Sequence, residues 1–100
     1  MTTLNQKNEF VIKLPTCGKG KKEIDNLFKR RRNQLEKAIN KLKANPTDYR
    51  QKGIEKVHDC RLGDYTIRIN KNERLFYDVD KKNRIVFLLR TGPHDYYKLI

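Results

Sequence analysis

Three arginines, a histidine and two tyrosines stand at the ends of apolar runs in the last third of the chain. Arg68 lies in Tyr65-Thr66-Ile67-Arg68-Ile69 and Arg74 opens Arg74-Leu75-Phe76-Tyr77-Asp78-Val79. Arg90 closes Ile85-Val86-Phe87-Leu88-Leu89-Arg90, just ahead of His94, Tyr96 and Tyr97. A guanidinium stays charged and offers a fork of N–H donors, so it holds anions and does not trade protons. An imidazole titrates near neutral pH and does trade them. Plainer readings stand beside this one. Arg68 and Arg74 are equally readable as solvated charges or as partners of Asp64, Glu73 and Asp78. Arg90, ending an apolar strand, has to meet an anion, either a carboxylate such as Asp95 or a phosphate. His94 is readable as structural, and Tyr96 and Tyr97 as caps on the core.

The elements that would position these residues are legible from periodicity. Glu9-Phe10-Val11-Ile12-Lys13-Leu14 is a short β-rich run stopped by Pro15 and a loop with Gly18 and Gly20. From about Lys21 to Ala44 nothing breaks a helix, and Ile24, Leu27, Phe28, Leu35, Ala38, Ile39 and Leu42 recur at three- and four-residue spacing. Arg31 falls where the apolar stripe should continue. One bent helix is the preferred reading, with two helices meeting near Lys29–Arg32 as the alternative. Asn45-Pro46 ends the segment, because the residue before proline is pushed out of the α region.

After a polar connector, residues 47–55, the period becomes two. Tyr65, Ile67 and Ile69 should face the helix, with Thr66 and Arg68 facing away; Leu75, Tyr77 and Val79 should face in, with Arg74 and Phe76 out. Asn70-Lys71-Asn72 and Asp80-Lys81-Lys82-Asn83 read as turns. The run 84–90 is apolar on both faces and reads as a central strand. The fold class is α+β: a small antiparallel-meander sheet, with an N-terminal strand and a helix or helical hairpin on one face. The other face should be free and cationic. Regular alternation is expected to set Arg68, Arg74 and Arg90 on that side, and a bulge to break the parity.

Composition bounds the partners. The chain has 100 residues, 24 Lys and Arg against 12 Asp and Glu, and a net charge of +12. One domain over residues 9–100 is expected, with residues 1–8 as a flexible extension. So much like charge repels itself, and a polyanionic or acidic partner relieves it. The sequence has no apolar run long enough to span a bilayer and no basic-apolar leader, so a cytoplasmic, membrane-free protein is expected. Cys17 and Cys60 are far apart and lack metal or redox spacing, which fits two reduced thiols and no metal site. The run Lys29-Arg30-Arg31-Arg32 reads as a solvated helix face or a phosphate contact.

With these residues in place, the sequence resembles the RelE/ParE superfamily of toxins from toxin–antitoxin modules, nearest the RelE/YafQ branch. The likeness covers Glu9 to Tyr97 in element order and is specific from about Val57. Arg68 and Arg74 match basic positions of the paired strands, and Arg90-Thr91-Gly92-Pro93-His94 looks like the Arg-Thr-Gly-x-His ending of YafQ. RelE itself has lysine where Thr66 stands, and in YafQ the aromatic comes one residue later than Tyr97 does here. The resemblance implies a ribosome-dependent mRNA endoribonuclease that needs no metal or cofactor and acts in the A site. There the ribose 2′-OH attacks the adjacent phosphate. It casts His94 as acid or base, Arg68, Arg74 and Arg90 as phosphate ligands, and Tyr97 as the residue that stacks on or orients a base. Lys71, Arg30, Arg31, Arg32, His58 and Tyr96 become RNA contacts. It also implies an acidic antitoxin in a hetero-oligomer. The alternatives are a ParE-like inhibitor of DNA gyrase and a non-catalytic basic nucleic-acid-binding module.

Overall fold

Alternation along the strands gives the sheet one apolar face, and a helical segment covers it. The structure, a computed structural model, describes residues 9–48, 53–57 and 63–93. In chain order the elements are β1 (Val11–Lys13), α1 (Gly18–Ala44), β2 (Ile54–Lys56), β3 (Tyr65–Arg68), β4 (Glu73–Asp80) and β5 (Ile85–Pro93). The strands form one five-stranded sheet in the order β1-β5-β4-β3-β2. Only β1 and β5 run parallel; the other neighbours are antiparallel. This is the expected α+β class, with β5 in an inner position. The expected extension at residues 1–8 lies outside the described residues, as does Cys60.

Ile24, Leu27, Leu35, Ala38 and Leu42 from α1 bury against Ile54, Ile67, Leu75, Tyr77, Val86 and Leu88 from the sheet. Apart from Ile54, Val86 and Leu88, these are residues that the two periods select. Tyr65 stacks on Tyr77 with ring centroids 5.7 Å apart, and the buried Tyr77 hydroxyl donates to the Pro46 carbonyl at 2.6 Å. That bond ties the sheet to the turn where α1 ends.

α1 is not a single bent rod. Arg31 has left the helical region (φ −137, ψ 45) and divides the segment into arms 18–30 and 32–44. The contacts show that the chain doubles back there. Glu23 on the first arm meets β5 at Arg90 and Thr91, and Arg30 reaches Glu73 at the start of β4. On the second arm, Asn70 donates to Gln34, and the Lys43 carbonyl accepts the Phe10 N–H beside β1. The preferred bent helix is therefore corrected to a helical hairpin. A further correction concerns the polar connector: its end, Ile54–Lys56, is the edge strand β2, pairing with Tyr65–Ile67. Three residues are too few for a period to show.

The first arm begins at Gly18, earlier than expected, and Gly20 is why it can. Pairing of β5 with β1 stops at Phe87, so beyond it, among the described residues, only β4 flanks β5. The first turn of α1 packs on this exposed edge, and a Cβ on Gly20 would collide with the Leu89 carbonyl. Replacing a helical glycine by alanine ordinarily adds roughly 0.5–1 kcal/mol of stability. Here Gly20→Ala is expected to reverse the sign and cost about 1–3 kcal/mol as backbone is forced apart, measured by urea denaturation. A stabilised variant would contradict this packing.

Candidate nucleic-acid interface

Cross-strand register decides which side chains share a face. Arg68 pairs with Arg74, and Arg74 with Gly92; Thr66 pairs with Phe76, and Phe76 with Arg90. Ile67 and Leu75, the intervening positions, face the helices. Arg68, Arg74 and Arg90 therefore fall on the opposite face, but not by regular alternation. Val86 and Leu88 lie in the core, and strict alternation would send Arg90 after them. A register shift intervenes: Tyr77 pairs with Leu88 and Phe76 with Arg90, which leaves Leu89 as an extra residue. The expectation that a bulge would separate the three arginines is corrected, because the bulge is what brings Arg90 to their face.

That face is less open than alternation alone implied. Thr66, Arg74 and Phe76 are all buried, with Arg74 only 5% exposed, whereas Arg68 is exposed. Arg68 makes no ion pair among the described residues, and its backbone N–H donates to the Gly53 carbonyl. Arg74 donates through one guanidinium nitrogen to Glu55 at 3.3 Å, and the Glu55 carboxylate is 59% exposed. At 3.3 Å to a solvated carboxylate, this contact is longer than the charge-assisted hydrogen bonds that fix a guanidinium firmly. Arg90 is held more firmly: Nε donates to Glu23 Oε1 at 2.8 Å and a terminal nitrogen to Oε2 at 3.0 Å. The same Oε1 accepts the Thr91 N–H at 3.2 Å. Of the acidic partners expected for Arg68 and Arg74, Glu73 bonds Arg30 and Asp78 accepts the Asp64 N–H.

A second group of cations occupies the elbow of α1, at the end of the sheet where β3 hands over to β4. Lys29, Arg30, Arg31, Arg32, Asn33 and Gln34 line an open hollow of about 400 Å³. Arg30 is tied to Glu73 at 2.9 Å and Arg32 to Glu36 at 3.1 Å, while Arg31 and Lys71 make no ion pair among the described residues. Lys71 rides on the β3–β4 turn, which Asn70 shapes by accepting the N–H groups of Asn72 and Glu73. The Arg30 hydrogen bond holds the Glu73 carboxyl below the usual carboxylate range; partial burial opposes it, and the Asn70 amide adds a smaller lowering.

His94, Tyr96, Tyr97, His58 and Asp95 lie outside the described residues. Of the expected site, the structure therefore places Arg68, Arg74 and Arg90 on one sheet face, and Arg30, Arg31, Arg32 and Lys71 at one end of it. Glu55 and Glu23 were missed. Glu55 sits in the unrecognised strand β2. Glu23 lies 67 residues from Arg90, with no spacing signal to join them; only the need of Arg90 for an anion pointed to a partner at all.

Known proteins bear on this geometry in one way. No protein-family model matches the sequence, and no curated protein does. Among solved structures, a chain of the toxin–antitoxin complex RelBE2 from Mycobacterium tuberculosis matches with a TM-score of 0.63 at 18% identity, covering 86% of this chain and 99% of that one. The fold is thus RelE-like. No helix among the described residues is long and apolar enough to cross a membrane.

Acid tests the Arg30–Glu73 clasp. A carboxyl whose folded pKa is lowered contributes stability that is complete above its unfolded value, ~4.3, and is lost as pH falls through the folded one. Between about pH 6 and pH 3, the wild type is expected to lose more stability than Glu73→Gln in paired urea titrations. Parallel acid profiles would contradict the clasp.

Proposed function

We propose that this protein is the toxin of a toxin–antitoxin module, and that it cuts mRNA in the ribosomal A site without a metal ion. Sheet register carries this reading, since it sets Arg68, Arg74 and Arg90 on one face of a RelE-like fold. Net charge supports it: +12 on 100 residues favours a polyanionic substrate and an acidic antitoxin. The RelBE2 structure is described as a toxin–antitoxin complex, which favours the same kind of partner here.

In this reading a phosphodiester of the message lies against the three guanidinium groups. A base takes the ribose 2′-OH proton, the 2′-oxygen attacks phosphorus, and the bond from phosphorus to the 5′-oxygen breaks as an acid protonates the leaving oxygen. The products are a 2′,3′-cyclic phosphate and a 5′-hydroxyl. His94 serves as the acid or base, because an imidazole ordinarily titrates near neutral pH. The arginines stabilise the extra negative charge on the pentacoordinate phosphorus. The nucleophile belongs to the substrate, so no cofactor is needed to generate one. Tyr97 stacks on or orients a base, and Tyr96 and His58 are further RNA contacts. Lys71, Arg30, Arg31 and Arg32 contact RNA phosphates, and the cytoplasm is where the ribosome is met.

Primer-extension mapping on translated and untranslated mRNA tests the proposal. Cleavage is expected only during translation. Arg68→Ala, a change at an exposed side chain, is expected to lower the rate about 10²-fold, and His94→Ala by about 10²- to 10⁴-fold, with circular dichroism unchanged. Cutting of free mRNA would overturn ribosome dependence. Intact mRNA with blocked DNA supercoiling would favour the gyrase reading. Unimpaired activity in His94→Ala with steep salt dependence would favour a non-catalytic basic module.

A further inference from the structure

We propose that Glu23 is a positioning residue for Arg90, holding its guanidinium in one orientation at the edge of the sheet so that it meets the substrate phosphate preorganised. This rests on the cleavage reading above and adds to it a residue on the helical side of the fold.

Three features converge on a few residues of β5. The bulge at Leu89 turns Arg90 to the arginine face. Gly20 lets the first turn of α1 close on the Leu89 carbonyl. Glu23, one turn further along, then brings its carboxylate to the strand edge beyond the β1 pairing. One oxygen accepts both Arg90 Nε and the Thr91 N–H, and the other accepts a terminal Arg90 nitrogen. The carboxylate is thereby fixed to backbone as well as to side chain, and the two parallel bonds set the plane of the guanidinium. Side-chain exposures of 25% for Arg90 and 27% for Glu23 leave the pair half-buried, where screening by water is reduced.

A carboxylate beside a phosphate-binding arginine weakens its attraction for an anion. It does not help ground-state binding. What it supplies is orientation, which acts on the chemical step. Removing Glu23 should therefore lower kcat and leave KM unchanged or reduced, a split that loss of folded protein alone would not produce. Arg90 itself should lose its fixed Nε–H.

The experiment compares wild type, Glu23→Gln and Glu23→Ala in cleavage of translated mRNA, normalised to folded protein, with the Arg90 Nε–H resonance followed by NMR. Glu23→Ala is expected to lower kcat at least tenfold without raising KM and to abolish the slowly exchanging Nε–H signal. Glu23→Gln, which keeps an acceptor oxygen, should lie between. An unchanged Nε–H signal in Glu23→Ala overturns the proposal, and so does an unchanged or raised kcat, which would make Glu23 a competitor of the phosphate. If the wild type cuts no mRNA, the cleavage reading fails, and with it the catalytic consequence drawn for Glu23. A resonance lost in Glu23→Ala would then still establish the pairing.

Discussion

One extra residue in β5 governs the arrangement of this molecule. Strand side chains alternate with a period of two, so an insertion at Leu89 exchanges the faces of everything after it. Upstream, Val86 and Leu88 enter the core. Downstream, Thr91 pairs with Leu75, while Arg90 pairs with Phe76 and shares a face with Arg74 and Arg68. Without the insertion, a guanidinium would be directed into the apolar layer between sheet and helices, where an isolated charge is very costly. The bulge thus serves folding and site construction together.

The bulge also needs cover, since beyond Phe87 one edge of β5 has no strand beside it among the described residues. An uncovered edge exposes backbone donors and acceptors to chance pairing. The first turn of α1 provides that cover, with Gly20 permitting close approach and Glu23 accepting the Thr91 N–H. The site arginines differ in their surroundings. Arg68 is exposed, Arg74 has a long contact to a solvated carboxylate, and Arg90 is gripped by two bonds.

Much of this was legible in the residues, for reasons that differ from place to place. The helical stripe from Ile24 to Leu42 and the alternation through Ile67, Leu75 and Tyr77 name the core, because burial imposes its period directly on residue type. The arginines at strand ends were visible as candidates for the same reason: each interrupts or closes an apolar pattern. The rest depends on contacts without periodicity. β2 is too short to alternate, and the reversal at Arg31 carries no Gly or Pro to announce it. The bulge at Leu89 sits among Phe87, Leu88 and Leu89, where apolar residues on both faces hide a change of parity. Glu23 is one acidic residue among several, given meaning only by the fold that brings it to Arg90.

The central claim is that Arg68, Arg74 and Arg90 serve one phosphate. The most direct measurement is a cryo-electron microscopy structure of the protein on a ribosome whose mRNA carries a 2′-O-methyl block at the A-site codon. The account predicts one phosphate of that codon within hydrogen-bond distance of all three guanidinium groups. A phosphate seated in the α1 elbow at Arg31, with the sheet arginines remote from RNA, would contradict it.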